Sequence, residues 1–213
     1  LDEFIEILRA TVATLNTAAD YQTVTEVIGE AAAKQNIWYH ELFFTFGLVS
    51  PRGVSWQAII EGITAGRRTN RERFGVETRF IADIDRTTDA DTGLKMVELV
   101  AACSNETGIV GIGLDCQEAG YPPGRHKAGF MRAKELGLHR VAHAGEDGGP
   151  TSVWEALKEL DVERVDHGVQ AIEDPELVKY LAKQQIPLTV CPISNIELKV
   201  FPQMSAHPLP ALI

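Results

Sequence analysis

The sequence predicts an α/β chain whose strands belong to a (β/α)8 TIM barrel, and three observations predict it. Short apolar, β-branched runs alternate with amphipathic segments, successive runs start too far apart for hairpins, and polar residues gather where the runs end. The runs are residues 37–46, 76–84, 108–114, 139–143, 164–167 and 187–191. Their starts lie 39, 32, 31, 25 and 23 residues apart, room for a strand and a returning helix, so neighbouring strands are parallel.

The chain opens on helices. Leu1, Phe4, Ile5 and Leu8 make an apolar stripe, and residues 21–36 read as an Ala-rich helix punctuated by Gly29. Met96, Leu99, Val100 and Cys103 fall at i, i+3, i+4 and i+7 and predict a helix that faces the sheet through those four side chains. Val153, Ala156, Leu157 and Leu160 repeat the spacing, with Ser152 and Glu155 as a capping box at the start. Asp174 followed by Pro175 supplies the N-cap and first turn of the next helix. Parallel sheets, open or closed, carry their chemistry at the carboxyl ends of strands. An open dinucleotide-binding sheet needs a glycine-rich phosphate loop, and Gly111 and Gly113 in GIGLD lack the GxGxxG spacing, which favours the barrel.

A chain of 213 residues, 45% hydrophobic and 23% charged, is long enough for one globular domain over residues 1–213. Its formal charge of -10 repels nucleic-acid phosphates and anionic membrane surfaces, so neither is an expected partner. Three widely spaced cysteines exclude a CxxC knuckle and argue against a disulfide framework. No apolar run approaches the roughly 18 residues of a membrane span, and residues 1–15 read as a helix rather than a secretory signal. A reducing cytoplasm is the expected location.

Four stretches place reactive side chains at strand ends. In VAHAGEDGGP, His143 ends a strand and Glu146 follows in a glycine-rich turn; the pair suits a metal ligand and a proton shuttle, or a buried histidine with a helix-entry carboxylate. In RVDHGV, His167 ends the next strand and faces the same mouth, as a second metal-site group or a hydrogen-bonded core histidine. In LTVCPISN, Cys191 has no activating base and reads as a buried, inert thiol, with Ser194 a hydrogen-bonding residue. In GIGLDCQEAGYPPG, Asp115 and Glu118 either line a substrate mouth or belong to a solvated turn. His40, His126, His139 and His207 read as structural or surface residues.

Taken in order, HAGE at 143–146, DHG at 166–168, EDPEL at 173–177 and VCPISN at 190–195 resemble the adenosine/adenine deaminase family of metal-dependent barrels, and the likeness runs over essentially the whole chain. The resemblance implies hydrolysis of the 6-amino group of a purine, with one zinc ion per chain. It implies His143 as a zinc ligand, Glu146 as proton donor to the purine ring and His167 as the residue orienting the zinc-activated hydroxide. GLDCQEAGYPP resembles the adenine branch rather than the adenosine branch, which implies adenine to hypoxanthine plus ammonia. Adenosine, an N6-substituted adenine, or an inactive barrel fragment are the alternatives. The HxH pair and terminal aspartates of the family are not in this sequence, so the resemblance implies an incomplete barrel, about strands 2 to 7, truncated at both ends.

Overall fold

The computed structural model describes residues 2–213, with side chains at 6–104 and 106–213. Of the expected first stripe, Leu1 and the side chains of Phe4 and Ile5 therefore lie outside what is described. The helices α1 (Asp2–Val12) and α2 (Ala18–Lys34) precede β1 (Tyr39–Thr45). Next come the short α3 (Phe46–Val49), α4 (Trp56–Thr69), β2 (Glu77–Asp85), α5 (Ala90–Ala101), α6 (Ser104–Thr107) and β3 (Ile109–Asp115). The second half runs α7 (Lys127–Glu135), β4 (His139–Ala144), α8 (Gly149–Glu159), β5 (Arg164–His167), α9 (Pro175–Gln184), β6 (Leu188–Thr189), α10 (Pro192–Glu197) and α11 (Leu209–Leu212).

All pairings are parallel and the spatial order is β1-β2-β3-β4-β5-β6. A doubly wound sheet reverses its strand order at a switch point; an unbroken sequential order is that of a barrel wall. The sheet curls, because Arg164 Nη1 on β5 reaches Glu41 Oε2 on β1 at 2.6 Å across four intervening pairings. Among the described residues β1 and β6 each pair on one side only, so the wall is open there.

Alternation along β1 sets the two layers. Glu41, Phe43 and Thr45 face the concave side, where they meet Arg164, His143 and Asp115 respectively. Phe44 faces outward, 5.9 Å from the Trp56 ring of α4. The core between wall and helices is built from Phe80, Val97, Val100, Ile112, Phe130, Val153, Leu160 and Leu177, all buried. Gly29 in α2 is required by packing: a Cβ there would lie 2.1 Å from the Asn70 side chain. Asn70 in turn donates to Thr25 O and Thr78 Oγ1, tying α2 to β2.

The structure alters three expectations. The buried stripe of α5 is Gly93, Met96, Val97 and Val100, while Leu99 is 37% exposed. Both stripes share Met96 and Val100; contact with α7 selects the one containing Gly93, which packs where any Cβ would meet the His126 ring at 2.6 Å. Helix α8 begins at Gly149, ahead of the expected cap, with Pro150 in its first turn and Ser152 buried inside it. Cys191 is exposed rather than buried, because it leaves β6 at the open edge of the wall. Partial burial and the nearby Glu146 and Asp166 carboxylates still push its thiol pKa up, against nucleophilic use.

Candidate active site

The carboxyl ends of the strands surround a cavity of ≈ 450 Å³. His143, Glu146, His167, Asp115, Glu118 and Ser194 all line it, so the structure gathers every side chain singled out in the sequence for catalysis, metal or substrate. It also extends past β1 to that strand's outer face and α1 and α2, an apolar side formed by residues such as Leu42, Phe44 and Val49.

His143 ends β4 with its ring edge-on to Phe43 at 5.4 Å between centroids and 5.3 Å from the His167 ring. Its Nδ1 lies 3.2 Å from Leu114 O, a backbone acceptor that fixes the ring and leaves Nε2 directed elsewhere. Burial, then the Arg86 charge, lower its pKa to about 4. His167 is lowered to about 4 by burial and by His143, so both rings are neutral near pH 7, the form that binds cations. His167 occupies the left-handed region at φ 64, a conformation that costs a β-carbon residue energy and recurs at functional sites.

Glu146 stands with Oε1 3.5 Å from His167 Nδ1 and without a hydrogen-bond partner for that buried oxygen. Burial, then the Asp147 and Glu118 charges, raise its pKa to about 7. A carboxyl so poised can hold and release a proton at neutral pH. Asn195 Nδ2 faces His167 Nδ1 at 3.4 Å, and His207 Nε2 braces Asn195 Oδ1 at 3.1 Å. Burial, then the Asp85 charge, raise Asp115 to about 6, while the Thr45 hydroxyl donates to its Oδ2.

Glu118 lines the cavity and also carries a set of backbone contacts. Its Oε1 accepts from Gly145 N at 2.6 Å, and its Oε2 accepts from the amides of Glu146, Asp147 and Gly148 at 3.1, 3.0 and 2.9 Å. Both carboxylate oxygens are engaged by backbone amides, which gives the group a structural partner within the chain.

Several site residues were not singled out in the sequence. Arg86 is fully buried and donates to Asp115 O, Leu114 O and His143 O, binding the ends of β3 and β4 together. Asp83 lies under the cavity; burial beside Asp115 and Asp166 holds its carboxyl well above the ordinary range. Gly113 makes room for it, since a Cβ there would lie 1.8 Å from Asp83 Oδ1. Glu41, Arg164 and Asp166 form a chain across the concave face, Arg164 Nε standing 3.2 Å from Asp166 Oδ1. The signal for Asp83, Asp85 and Arg86 was present: FIADIDR ends an apolar run as VAHAGE does.

The described residues contain no group of three or more His, Cys, Asp or Glu side chains placed to hold a metal ion. His143 fits as a single ligand, neutral and held by a backbone acceptor, and a complete ligand set is not found among these residues.

Comparison with known proteins gives a consistent result. An adenine deaminase from Streptomyces coelicolor is 38% identical over 213 residues, which is 62% of that protein's length. The crystal structure of an adenine deaminase from Arthrobacter aurescens superposes with a TM-score of 0.95 at 37% identity, the match covering 100% of this chain and 64% of that one. An amidohydrolase from Burkhoderia ambifaria, solved with bound Zn, superposes at a TM-score of 0.86 and 30% identity over 93% of this chain and 56% of its own. The chain thus spans less than two thirds of the length of each. The family model described as adenosine deaminase matches residues 1–213, the whole of a wall whose strand ends carry HAGE and DHG, and the chain belongs to that family.

Proposed function

We propose that the protein containing this chain hydrolyses adenine to hypoxanthine and ammonia, and that the chain supplies the central strands of a (β/α)8 barrel domain. The observation that carries this reading is Glu146, a buried carboxyl with a pKa near 7 and an unpartnered oxygen, facing His167 over His143 in one cavity. Relatives named adenine deaminase at 36–40% identity over 97–100% of this chain support the choice of substrate. The cavity falls in the range of about 300–1,000 Å³ typical of small-ligand sites.

In this reading Glu146 gives its proton to a ring nitrogen of the purine, which makes C6 electrophilic, and the apolar side of the cavity excludes competing solvent. His167, held by Asn195, orients the attacking water. His143 is one ligand of a zinc ion. A bound zinc lowers the pKa of water into the neutral range. Asp115, protonated in part near pH 6, lines the cavity where a purine edge can hydrogen-bond to it.

The test uses the full-length protein. Ammonia release from adenine, adenosine and N6-methyladenine is measured beside zinc content. Adenine turnover with about one zinc per chain, and loss of both in His143→Ala, is the expected result. Turnover of adenosine alone, or none by a zinc-loaded protein, overturns the assignment.

A further inference from the structure

The loop that carries Glu146 makes no regular structure, yet its amides are all held. Four consecutive N–H groups, Gly145 to Gly148, converge on Glu118, and the fifth, Gly149 N, donates to Gln170 Oε1 at 2.5 Å. Gln170 N returns a bond to Gly145 O at 2.9 Å, which closes the loop against the following turn. Successive amides bent around one anion make a concave nest, and such bonds to a charged acceptor are the strong kind.

Glu118 is 7% exposed, so little water competes for its oxygens. Burial works to raise its pKa, but the Ser152 hydroxyl, then Arg86 and the loop amides, leave it below the ordinary value. The loop sequence matches this acceptor. Gly145 adopts φ +69 and Gly149 φ +73, and a Cβ on Gly148 would lie 2.5 Å from Glu118 Cδ. A side chain at 148 and a carboxylate at 118 exclude one another.

We infer that Glu118 is a positioning residue: a buried anion that folds the 145–148 loop around itself and thereby sets the Glu146 carboxyl against His167. It does not touch the purine. The inference rests on the proposed role of Glu146, but its structural half stands without it. Replacing Glu118 by Gln keeps the shape and turns one acceptor oxygen into a donor facing donors, so at least one amide loses its partner.

The test compares full-length wild type, Glu118→Gln and Gly148→Ala in two readouts, amide hydrogen exchange over residues 143–150 and steady-state kinetics on adenine. Glu118→Gln is expected to speed exchange at 145–148, leave the rest of the exchange map unchanged, and lower kcat about 100-fold with KM little moved, the size of effect that an ångström of misplacement produces. Gly148→Ala, which drives a methyl into the carboxylate, is expected to reproduce both changes and carries the decision if Glu118→Gln does not fold. Unchanged exchange at 145–148 overturns the inference, as does unchanged kcat or a loss confined to KM. If wild type releases no ammonia from adenine, the proposed function fails, while the exchange readout still decides whether Glu118 holds the loop.

Discussion

Glu146→Gln should abolish turnover and at the same time stabilise the protein, by an amount that depends on pH. The Glu146 carboxyl titrates near 4.5 when free and is pushed up to about 7 in the fold by burial and by the Asp147 and Glu118 charges. A difference of roughly 2.5 units corresponds to about 3 kcal/mol, and with a side chain 11% exposed little of it is screened away. The folded pKa is the raised one, so the native state favours the protonated form. There is no penalty below about pH 4.5; the cost grows as pH rises towards 7 and is complete above it. Gln is neutral at every pH and nearly the same shape. Urea denaturation of the metal-free protein should therefore give equal stabilities for wild type and variant near pH 4.5, and an advantage of about 3 kcal/mol for the variant at pH 8. Ammonia release should fall by about 100-fold or more, the usual contribution of a positioned acid. A stability difference that is the same at both pH values, or one in favour of wild type at pH 8, refutes the electrostatic account of the site.

Other substitutions test the frame beneath it. Gly113→Ala places a Cβ 1.8 Å from Asp83 Oδ1 and should lower unfolding free energy by about 1–3 kcal/mol in urea titration. Asp174→Ala removes the cap on the Glu176 and Leu177 amides and the acceptor of Trp154 Nε1 at 2.9 Å; a lower melting temperature is expected in a thermal melt. Arg164→Met strands Glu41 and Asp166, the latter with a side chain 4% exposed, and should cost about 3–5 kcal/mol in chemical denaturation, whereas an additional change of both carboxylates to apolar residues recovers most of it.

The order of the strands was legible because each βα unit declares itself locally. Arg164–His167 appears at the predicted bounds, and the other strands start or stop within a few residues of them. The exception in length is β6, which shrinks to Leu188–Thr189 from a run of five apolar-rich residues. Helix faces were legible where one stripe stood alone, as for Val153, Ala156, Leu157 and Leu160, all buried in or just after α8. They were ambiguous where two stripes overlap. In α5 the tie between Leu99 and Val97 is broken by a neighbour distant in sequence, the segment around His126, and no window of the helix contains that information.

The candidate site divides along the same line. His143, Glu146 and His167 could be named because His143 and His167 close successive strands in short motifs and Glu146 follows His143 by three residues, and their convergence follows from the parallel order. What each neighbour does could not be read, since a carboxylate looks the same in sequence whether it faces a ligand or a loop. Glu118 has the spacing of a mouth residue and the surroundings of a structural anion; only the four amides that converge on it distinguish the two. The glycines of HAGEDGG are the trace this arrangement leaves in the sequence: Gly148 is small because Glu118 lies against it. Likewise Gly113, unreadable as a phosphate loop, is small because Asp83 lies against it. In both cases a glycine at a strand end or in a loop marks the place where a buried carboxylate from elsewhere in the chain needs the room, and such pairs are where further positioning residues of this site are to be sought.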